Sequence, residues 1–286
     1  SQRISSGSEI ISAQKTRQEM LIWTDTALHA MRFTGPPFTF GFSMLANNVS
    51  IIGPNAVTTI GDKVFWMDRE NFYVYTGRVQ VIPCTLLRYV FDDINLAQSF
   101  KVFAASNKMF DEVFWFYPSA DATEIDRYVK FNFTENTWDL GTLSRTAWVD
   151  YGIHDNPRAS GVASNTNFVY VHETGDDNDG SAMTSFIESA DFDIGDGEQF
   201  MFVSRLIPDI DITTSSNNSV DYILKTRNYP GDSLTTNSTN AVSASTQQSF
   251  LRSRSRQVAL RVESSTTDIT WTMGDLRLDM RPDGRR

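Results

Sequence analysis

Four carboxylates lie close together in the stretch 172–180, which reads HETGDDNDG. Calcium and similar hard cations bind several carboxylate oxygens within one loop. The side chains that could supply these oxygens are Glu173, Asp176, Asp177 and Asp179. The spacing does not fit an EF-hand, because a loop with Gly180 at its sixth position would put Gly175 and Phe186 where acidic ligands are required. We therefore predict an exposed acidic turn, with a bound cation as the alternative, and no cofactor.

Three arginines alternate with serines near the end of the chain, at Arg252, Arg254 and Arg256. Alternate residues of a β-strand point to the same face. Guanidinium groups on one face could pair with acidic residues of a neighbouring subunit or contact DNA phosphates. Because the chain carries a net charge of -10, subunit pairing is the favoured interpretation and DNA contact is the alternative.

Acidic and basic residues also occur together at Asp68, Arg69 and Glu70, and again at Asp126 and Arg127. A glycosidase needs a pair of carboxylates at one site. Both sets fall in predicted hairpin turns, where charged residues are expected in any case, and the chain has no G-x-S-x-G motif. We predict a protein that is not an enzyme. A propeller glycosidase and a carbohydrate-binding module that uses exposed Trp and Tyr side chains are the alternatives.

The chain has a single cysteine, Cys84, so an internal disulfide is excluded. A nucleophilic role would require a histidine base nearby, and the chain offers His29, His154 and His172. Free cysteines are usually buried and act as small hydrophobic residues. We predict this packing role for Cys84.

The elements that position these side chains are predicted to be β-hairpins. The clearest covers 61–77, GDKVFWMDRENFYVYTG, where two runs of aromatic and β-branched residues flank a turn at 68–71. Related hairpins are predicted at 20–33 and 112–133, and a weaker copy at 168–171. Their anchors are 43, 49 and 55 residues apart, close to the roughly 40–50 residues of one propeller blade; these anchors are Trp23, Trp66, Trp115 and Tyr170. We predict an all-β fold of propeller-like antiparallel blades that stack side by side.

The blade around the 61–77 hairpin is predicted to take two further strands from 49–52 and 56–60. One short helix is predicted at 85–95, because its apolar residues recur at helical spacing. The segment 38–42, FTFGF, predicts a strand that packs three phenylalanines on one side. An exposed loop that docks on a partner is the alternative for this segment.

Residues 1–180 are assigned to the propeller-like blades, and residues 181–286 to a second antiparallel β region. Alternation with a period of two predicts strands at 186–192, 201–212, 220–227, 257–263 and 269–280, in a sandwich or in closing blades. The segment 228–248 is rich in Ser, Thr and Asn and contains Pro230-Gly231. We predict that this segment is a mobile loop.

The 286 residues are 40% hydrophobic, which is enough to bury a large core. No run of 18 apolar residues occurs, so a membrane-spanning helix is not expected. The chain starts at Ser1 with neither an initiator Met nor a secretory signal. We expect a processed chain or a fragment of a longer protein.

Several motifs resemble virion proteins of short-tailed bacteriophages. They are RSRSRQ at 252–257, RVE at 261–263, WTMGD at 271–275 and RLDMRPDGRR at 277–286. The stretch 112–117 with Asp126-Arg127-Tyr128, and the HETG turn at 172–175, are similar to the same group. The resemblance is to the C-terminal portion of the tail nozzle and packaged-DNA stabilisation type.

This resemblance implies a β-propeller-containing protein of the virion tail. Members of the group form a six-fold ring below the portal and adaptor and close the channel until the genome is ejected. The expected partners are therefore further copies of the chain in a homo-oligomeric ring, a hexamer by resemblance, the portal, adaptor and other tail proteins, and genome DNA in the channel. A channel wall with negative charge could let DNA slide without sticking.

Overall fold

The computed structural model describes residue 4 and residues 6–161, 168–214 and 219–285. These residues form two compact units, Ser1–Thr174 and Gly175–Arg286. The sequence places the boundary a few residues later, at 180. Nearly all regular structure is antiparallel β in several small sheets, so the predicted all-β fold class is confirmed.

The described part of the first unit contains four antiparallel sheets, in each of which neighbouring strands follow one another along the chain. Sheet one has β1 Ile10–Lys15, β2 Met20–Thr24, β3 Ala27–Phe33 and β4 Phe40–Asn47; sheet two has β5 Val57–Ile60, β6 Lys63–Met67, β7 Phe72–Tyr75 and β8 Val79–Ile82. Sheet three has β9 Phe103–Asn107, β10 Glu112–Tyr117, β11 Arg127–Asn132 and β12 Thr137–Thr142; sheet four has β13 Ala147–Val149, β14 Arg158–Ser160 and β15 Val169–Val171.

The hairpin that the sequence places at 61–77 consists of β6 and β7. Trp66 is paired with Tyr73 and Met67 with Phe72, and the Asp68 amide donates to the carbonyl of Asn71 at 2.9 Å to close the turn. Every residue from Val64 to Met67 is buried. A strand buried on both faces needs a neighbouring sheet on each side, so the hairpin lies inside a stack of sheets.

Aromatic side chains join consecutive sheets of the first unit. The rings of Trp23 and Trp66 lie 5.3 Å apart between sheets one and two, and those of Phe72 and Trp115 lie 4.8 Å apart between sheets two and three. The third and fourth sheets meet at Trp148, whose indole nitrogen donates to the Ser106 carbonyl at 2.9 Å. The sheets therefore stack in chain order, as blades of a propeller do.

The first strands of successive sheets lie side by side. Gln14 of β1 donates to Thr59 of β5 at 3.0 Å, and the Ala104 amide of β9 donates to the carbonyl of Asn55, just before β5, at 2.8 Å. Each sheet then runs outward strand by strand. The fourth strands β4, β8 and β12 consequently lie on the side away from this shared inner row.

The prediction of a strand at 49–52 is wrong. The structure places Val49, Ile51 and Ile52 in the core without strand pairing, where the Ile52 amide donates to the Met67 carbonyl at 3.0 Å. A short apolar run cannot distinguish a buried strand from buried irregular chain. The fourth strand of sheet two is β8, which follows the hairpin.

The predicted helix is present but shorter, as α1 Leu87–Asp93. Phe91 packs on Phe72 of sheet two at 5.4 Å between ring centroids. A 3₁₀ helix, Leu96–Lys101, follows it and was not predicted; the Asn95 side chain accepts from the amide of Ala97 at 3.1 Å and caps its start. None of the helices in the described residues is both long and apolar enough to cross a bilayer.

In the second unit the described strands form three sheets around one apolar core. The four-stranded sheet has the order β16-β22-β19-β20, the three-stranded sheet the order β21-β17-β24, and β18 pairs with β23. The strands are β16 Ser185–Glu188, β17 Met201–Ile207, β18 Ile210–Thr214, β19 Ser219–Arg227, β20 Thr235–Ser243, β21 Ser249–Ser255, β22 Gln257–Ser264, β23 Ile269–Met273 and β24 Arg277–Pro282.

Two predicted strands of this unit are each divided in two. The break in 201–212 falls at Pro208-Asp209 and the break in 269–280 at Gly274. The two breaks lie against each other, because the Gly274 amide donates to the Asp209 carbonyl at 2.9 Å. A Cβ on Gly274 would lie 2.6 Å from the Asp209 carboxylate, so a larger residue here would displace that side chain.

The predicted loop over 228–248 contains a nine-residue strand. Residues Thr235–Ser243 form β20, which pairs along its length with β19. Val242 is fully buried opposite Val220. The polar composition is misleading here because threonine, a β-branched residue, suits a strand with one wet face.

Candidate functional site

The acidic residues of 172–180 are not gathered around a common point. The side chain of Glu173 accepts from Asn107 at 2.8 Å in the first unit. In the second unit Asp176 accepts from the Thr270 hydroxyl at 2.7 Å, and Asp177 accepts from the amide of Gly180 at 3.1 Å. Asp179 is exposed in a left-handed conformation. No cluster of potential metal ligands occurs among the described residues.

The three alternating arginines occupy unlike positions. Arg252 and Arg254 are exposed on β21, whereas Arg256 is half-buried after the strand ends. Arg254 forms an ion pair with Asp283 at 2.6 Å, and Arg256 donates to the backbone carbonyl of Glu198 at 2.8 Å. Arg252 forms no ion pair with any described residue, and its guanidinium lies 5.8 Å from the ring of Phe250. Of the three, Arg252 is therefore the most available to a partner.

Three of the charged residues considered for glycosidase chemistry form structural contacts. Asp68 accepts from the amide of Arg69 at 2.7 Å within the β6–β7 turn, which Glu70 also occupies. Asp126 accepts from the Ser119 hydroxyl at 2.7 Å, and Arg127 pairs with Asp93 at 2.7 Å. Neither set is converged on a cleft.

Cys84 is half-buried against the core of the first unit. Burial raises the pKa of its thiol to about 11, so the thiol is protonated and a poor nucleophile at neutral pH. His29 is buried and bonded to the Ser6 hydroxyl at 2.8 Å, and burial lowers its pKa. These groups have structural roles.

Two polar clusters of the first unit were not predicted from the sequence. In the first, Arg145 donates to His172 at 3.0 Å, while its guanidinium lies 4.2 Å from the ring of Tyr170 and the His172 ring lies 4.9 Å from that of Trp148. Burial and the charge of Arg145 lower the pKa of His172 to about 4. His172 is thus neutral at pH 7 and accepts the bond from Arg145.

The second cluster links sheet three to the last residues of the unit. Lys130 binds Glu112 at 2.8 Å, and Asn107 donates to Glu173. Burial and the nearby charge of Glu112 raise the pKa of Glu173. Burial alone would lower the pKa of Lys130, but its contacts with Glu112 and Asp139 raise it. The spacing of these residues in the sequence carries no sign of this cluster, because its members meet only through strand register.

An exposed apolar surface, which we call the aromatic patch, lies on β3, β4 and the turn between them. Phe33 and Phe38 are each 70% exposed, and Phe33 is paired with Phe40, with ring centroids 5.9 Å apart. Phe42 and Met44 are also exposed. The 38–42 segment thus forms part of a strand, but its rings face solvent instead of packing as the first interpretation expected.

The aromatic patch lies at an open sheet edge without charged residues. β4 ends the strand order of sheet one, and no described strand pairs with its outer side. The sequence has no Asp, Glu, Lys or Arg from 33 to 61. Edge strands are normally protected by charges, prolines or a covering element, and contiguous exposed apolar surface marks an interaction site. The patch is the best candidate for a protein contact in the first unit.

Cavities give no sign of a reaction centre in the described residues. One depression of about 440 Å³ is lined by Ile4, by residues 6–10 and by Thr24. Another of about 270 Å³ lies at β24 beside Ser204, Asp279 and Arg281. Each contains one carboxylate, whereas glycoside hydrolysis uses two.

No protein-family model and no curated protein matches the chain. Among solved structures, a crystal structure of an exo-β-1,3-galactanase from Phanerochaete chrysosporium with β-1,3-galactotriose is similar over 91% of this chain and 78% of that chain. The identity is 7% and the TM-score is 0.29. A likeness at this level carries no argument about activity.

Proposed function

We propose that the chain is a structural protein of a bacteriophage tail, which forms part of the nozzle that retains the genome and passes it during ejection. In this proposal several copies assemble into a ring, and the aromatic patch forms the contact between neighbours. The observation that carries the proposal is the open, uncharged edge β4 with its exposed phenylalanines. The resemblance of the C-terminal motifs to tail nozzle proteins supplies the biological setting.

The patch requires a cover for a physical reason. Burying one phenylalanine side chain is worth about 1.5–3 kcal/mol, and four phenylalanines and a methionine are exposed together. A second copy fits as the cover because the contact would be apolar, so the net charge of -10 on each copy would not be concentrated there. A contact between unlike surfaces of two copies repeats around a ring when its rotation closes.

The bonds that the acidic residues of the first unit form support a structural role over catalysis. Asp68 and Asp126 both fix turns, and Glu112 is bound by Lys130. A stack of sheets with aromatic contacts between blades gains stability from each contact between neighbouring sheets. Negative walls would keep DNA mobile in a central passage.

The experiment compares the native chain with Phe38→Ser/Phe40→Ser by negative-stain electron microscopy. The native chain is expected to form rings, and the double variant to remain as single copies, because it loses about 3–6 kcal/mol of apolar burial at each contact. The matched control is Phe100→Ser/Phe110→Ser, which changes two exposed phenylalanines of the same unit outside the patch.

Rings in the control and none in the patch variant would support the proposal. Isolated single copies of the native chain would contradict it, as would rings formed equally by all three proteins. A glycan array and a hydrolysis assay with β-1,3-linked galactan, run on the same preparations, test the rival carbohydrate readings. Specific glycan binding or cleavage would replace the tail proposal.

A further inference from the structure

The three-stranded sheet of the second unit has one apolar face and one face of arginine and phenylalanine. Along β21, Ser249, Leu251, Ser253 and Ser255 are buried and the residues between them are exposed. Phe202 of the central strand is paired with Arg254 on one side and Arg281 on the other. Cross-strand partners point to the same face. We call this outward face the arginine face; its members are Phe202, Arg205, Phe250, Arg252, Arg254, Arg277, Asp279 and Arg281.

A bulge in β21 helps to place Arg252 on this face. The pairing of β17 with β21 shifts register between Val203 and Arg205. Arg252 lies opposite this shift and has a φ of 47°, which few residues other than glycine adopt. Bulges re-aim side chains at functional sites. Here the result is an exposed arginine beside the exposed ring of Phe250.

The cations of the arginine face are less paired than those elsewhere in the unit. On the four-stranded sheet, Lys225 and Arg261 both bind Glu188, at 2.8 and 3.0 Å. On the arginine face, the side chains of Arg252, Arg277 and Arg281 form no ion pair or hydrogen bond with any described residue. The chain has 35 acidic residues against 25 basic ones, so a shortage of acids does not explain the difference. Three unpaired guanidinium groups on one face leave an uncompensated positive surface on an acidic protein.

Aromatic rings lie beside two of these three guanidinium groups. Arg252 lies 5.8 Å from the centre of the Phe250 ring, and Arg281 lies 5.1 Å from that of Phe202. A guanidinium that stacks on a ring keeps its N–H edge free for two parallel bonds to a phosphate or carboxylate. Phe250 is 54% exposed, so its ring has a face open to a planar partner.

We propose that the arginine face binds single-stranded nucleic acid, with phosphates on Arg252, Arg277 and Arg281 and a base stacked on Phe250. Proteins that bind single strands without sequence preference combine a positive surface with aromatic platforms. An acidic protein surface would bind the guanidinium groups but would leave the exposed Phe250 ring without a stacking partner. The bases of a duplex are stacked inside the helix and cannot stack on this ring. The inference goes beyond the proposed tail function and does not depend on it.

The net negative charge of the chain sets the character of this binding. Repulsion from the rest of the protein opposes a polyanion, so binding is weak and strongly dependent on salt. For single strands the logarithm of the binding constant falls with the logarithm of salt concentration by about 0.7 for each neutralised phosphate. Three contacts therefore correspond to a slope of about 2.

The test measures binding of a fluorescent oligothymidylate of about 15 nucleotides to the full chain by anisotropy, over a series of salt concentrations. The variant Arg252→Gln/Arg277→Gln/Arg281→Gln is expected to bind at least about tenfold more weakly at low salt. The slope of the logarithm of its binding constant against the logarithm of salt concentration is expected to be smaller by about 2. The control Arg69→Gln/Arg78→Gln/Arg88→Gln makes the same change in net charge at three exposed arginines of the first unit and is expected to keep the slope.

A second variant, Phe250→Leu, separates stacking from charge. It keeps an apolar side chain and every arginine, and it is expected to weaken oligothymidylate binding by about fivefold or more through loss of the base platform. Binding to the corresponding duplex is expected to be weaker than to the single strand and unchanged by this variant. Equal loss in both arginine variants would overturn the inference.

Competition with polyglutamate identifies an acidic protein as the occupant instead. If polyglutamate displaces the oligonucleotide at equal charge concentration and Phe250→Leu has no effect, the face recognises carboxylates and the nucleic-acid proposal is wrong. Poor competition together with the Phe250→Leu loss supports it. Circular dichroism of each variant tests whether it is folded. All the changed side chains are exposed, so each variant is expected to fold.

Discussion

The two units use aromatic residues in opposite ways. In the first unit the rings of Trp23, Trp66 and Trp115 are fully buried and connect one sheet to the next. In the second unit, Phe200, Phe202 and Phe250 lie in the outer shell with arginines against their faces. Aromatic side chains thus join neighbouring sheets in the first unit and lie against arginine side chains in the second unit.

This contrast shows that the number of aromatic residues does not indicate whether they are buried between sheets or exposed for binding. Buried rings contribute stability, because they exclude water between sheets. Exposed rings contribute little to folding but much to recognition. The aromatic patch differs from these buried rings of the first unit, since Phe33 and Phe38 are each 70% exposed. For that reason we assign it to contact with another copy.

The largest expected effect is the loss of a buried ring. Trp115→Ala removes a fully buried side chain that packs on Phe72 and Trp138 and is expected to destabilise the first unit by about 3–5 kcal/mol. Urea unfolding followed by tryptophan fluorescence measures this, because five of the chain's tryptophans lie in the first unit.

The matched change in the second unit is Phe250→Ala, which removes an exposed ring and is expected to cost less than about 0.5 kcal/mol. Similar losses for the two variants would show that the rings of the two units are not used differently.

The next effect concerns pH. The folded pKa of His172 is about 4, below its ordinary 6.5, so the unfolded chain binds the proton more readily. The stability that this neutral histidine contributes is fully present above about pH 6.5 and is lost as the pH falls towards 4, by at most about 3 kcal/mol.

His172→Gln keeps an acceptor for Arg145 but cannot be protonated. We expect the variant to lose less stability than the native chain between pH 7 and 4.5 in urea titrations. If the native chain and the variant lose the same free energy of unfolding between the two pH values, His172 is accessible to protons in the folded state.

A smaller effect distinguishes the two charged faces of the second unit. Glu188→Gln removes the carboxylate that Lys225 and Arg261 share, while Arg261 keeps its ion pair with Glu263, and is expected to cost about 1 kcal/mol, near the upper end for surface ion pairs. Arg281→Gln, on the arginine face, breaks no ion pair among the described residues and is expected to be nearly neutral. Thermal unfolding of both variants measures the difference, and a larger loss for Arg281→Gln would contradict it.

The local part of the fold could be predicted from the sequence. The hairpins at Trp23 and Trp66 follow from short turns between aromatic and β-branched runs, and the hairpin at Trp115 follows from two such runs joined by a longer loop. The irregular chain at 49–52 was wrongly predicted as a strand, because a short apolar run does not show whether a pairing partner is present. β20 was hidden by its polar composition until β19 provided a register for it.

The candidate surfaces could be predicted from the sequence only in part. Alternation placed Arg252 and Arg254 on one face, but the ion pair of Arg254 with Asp283 depends on the order β21-β17-β24, which no local pattern encodes. The bond between Arg145 and His172 joins residues 27 positions apart. Contacts of this kind arise from the stacking of sheets, and they were missed for that reason.

Light scattering of the native chain in solution tests the central claim, that the open aromatic edge assembles copies of this protein. The account predicts a mass that is a multiple of 32.3 kDa and that falls to a single copy in Phe38→Ser/Phe40→Ser but not in Phe100→Ser/Phe110→Ser. A native mass of 32.3 kDa at every concentration would contradict the account.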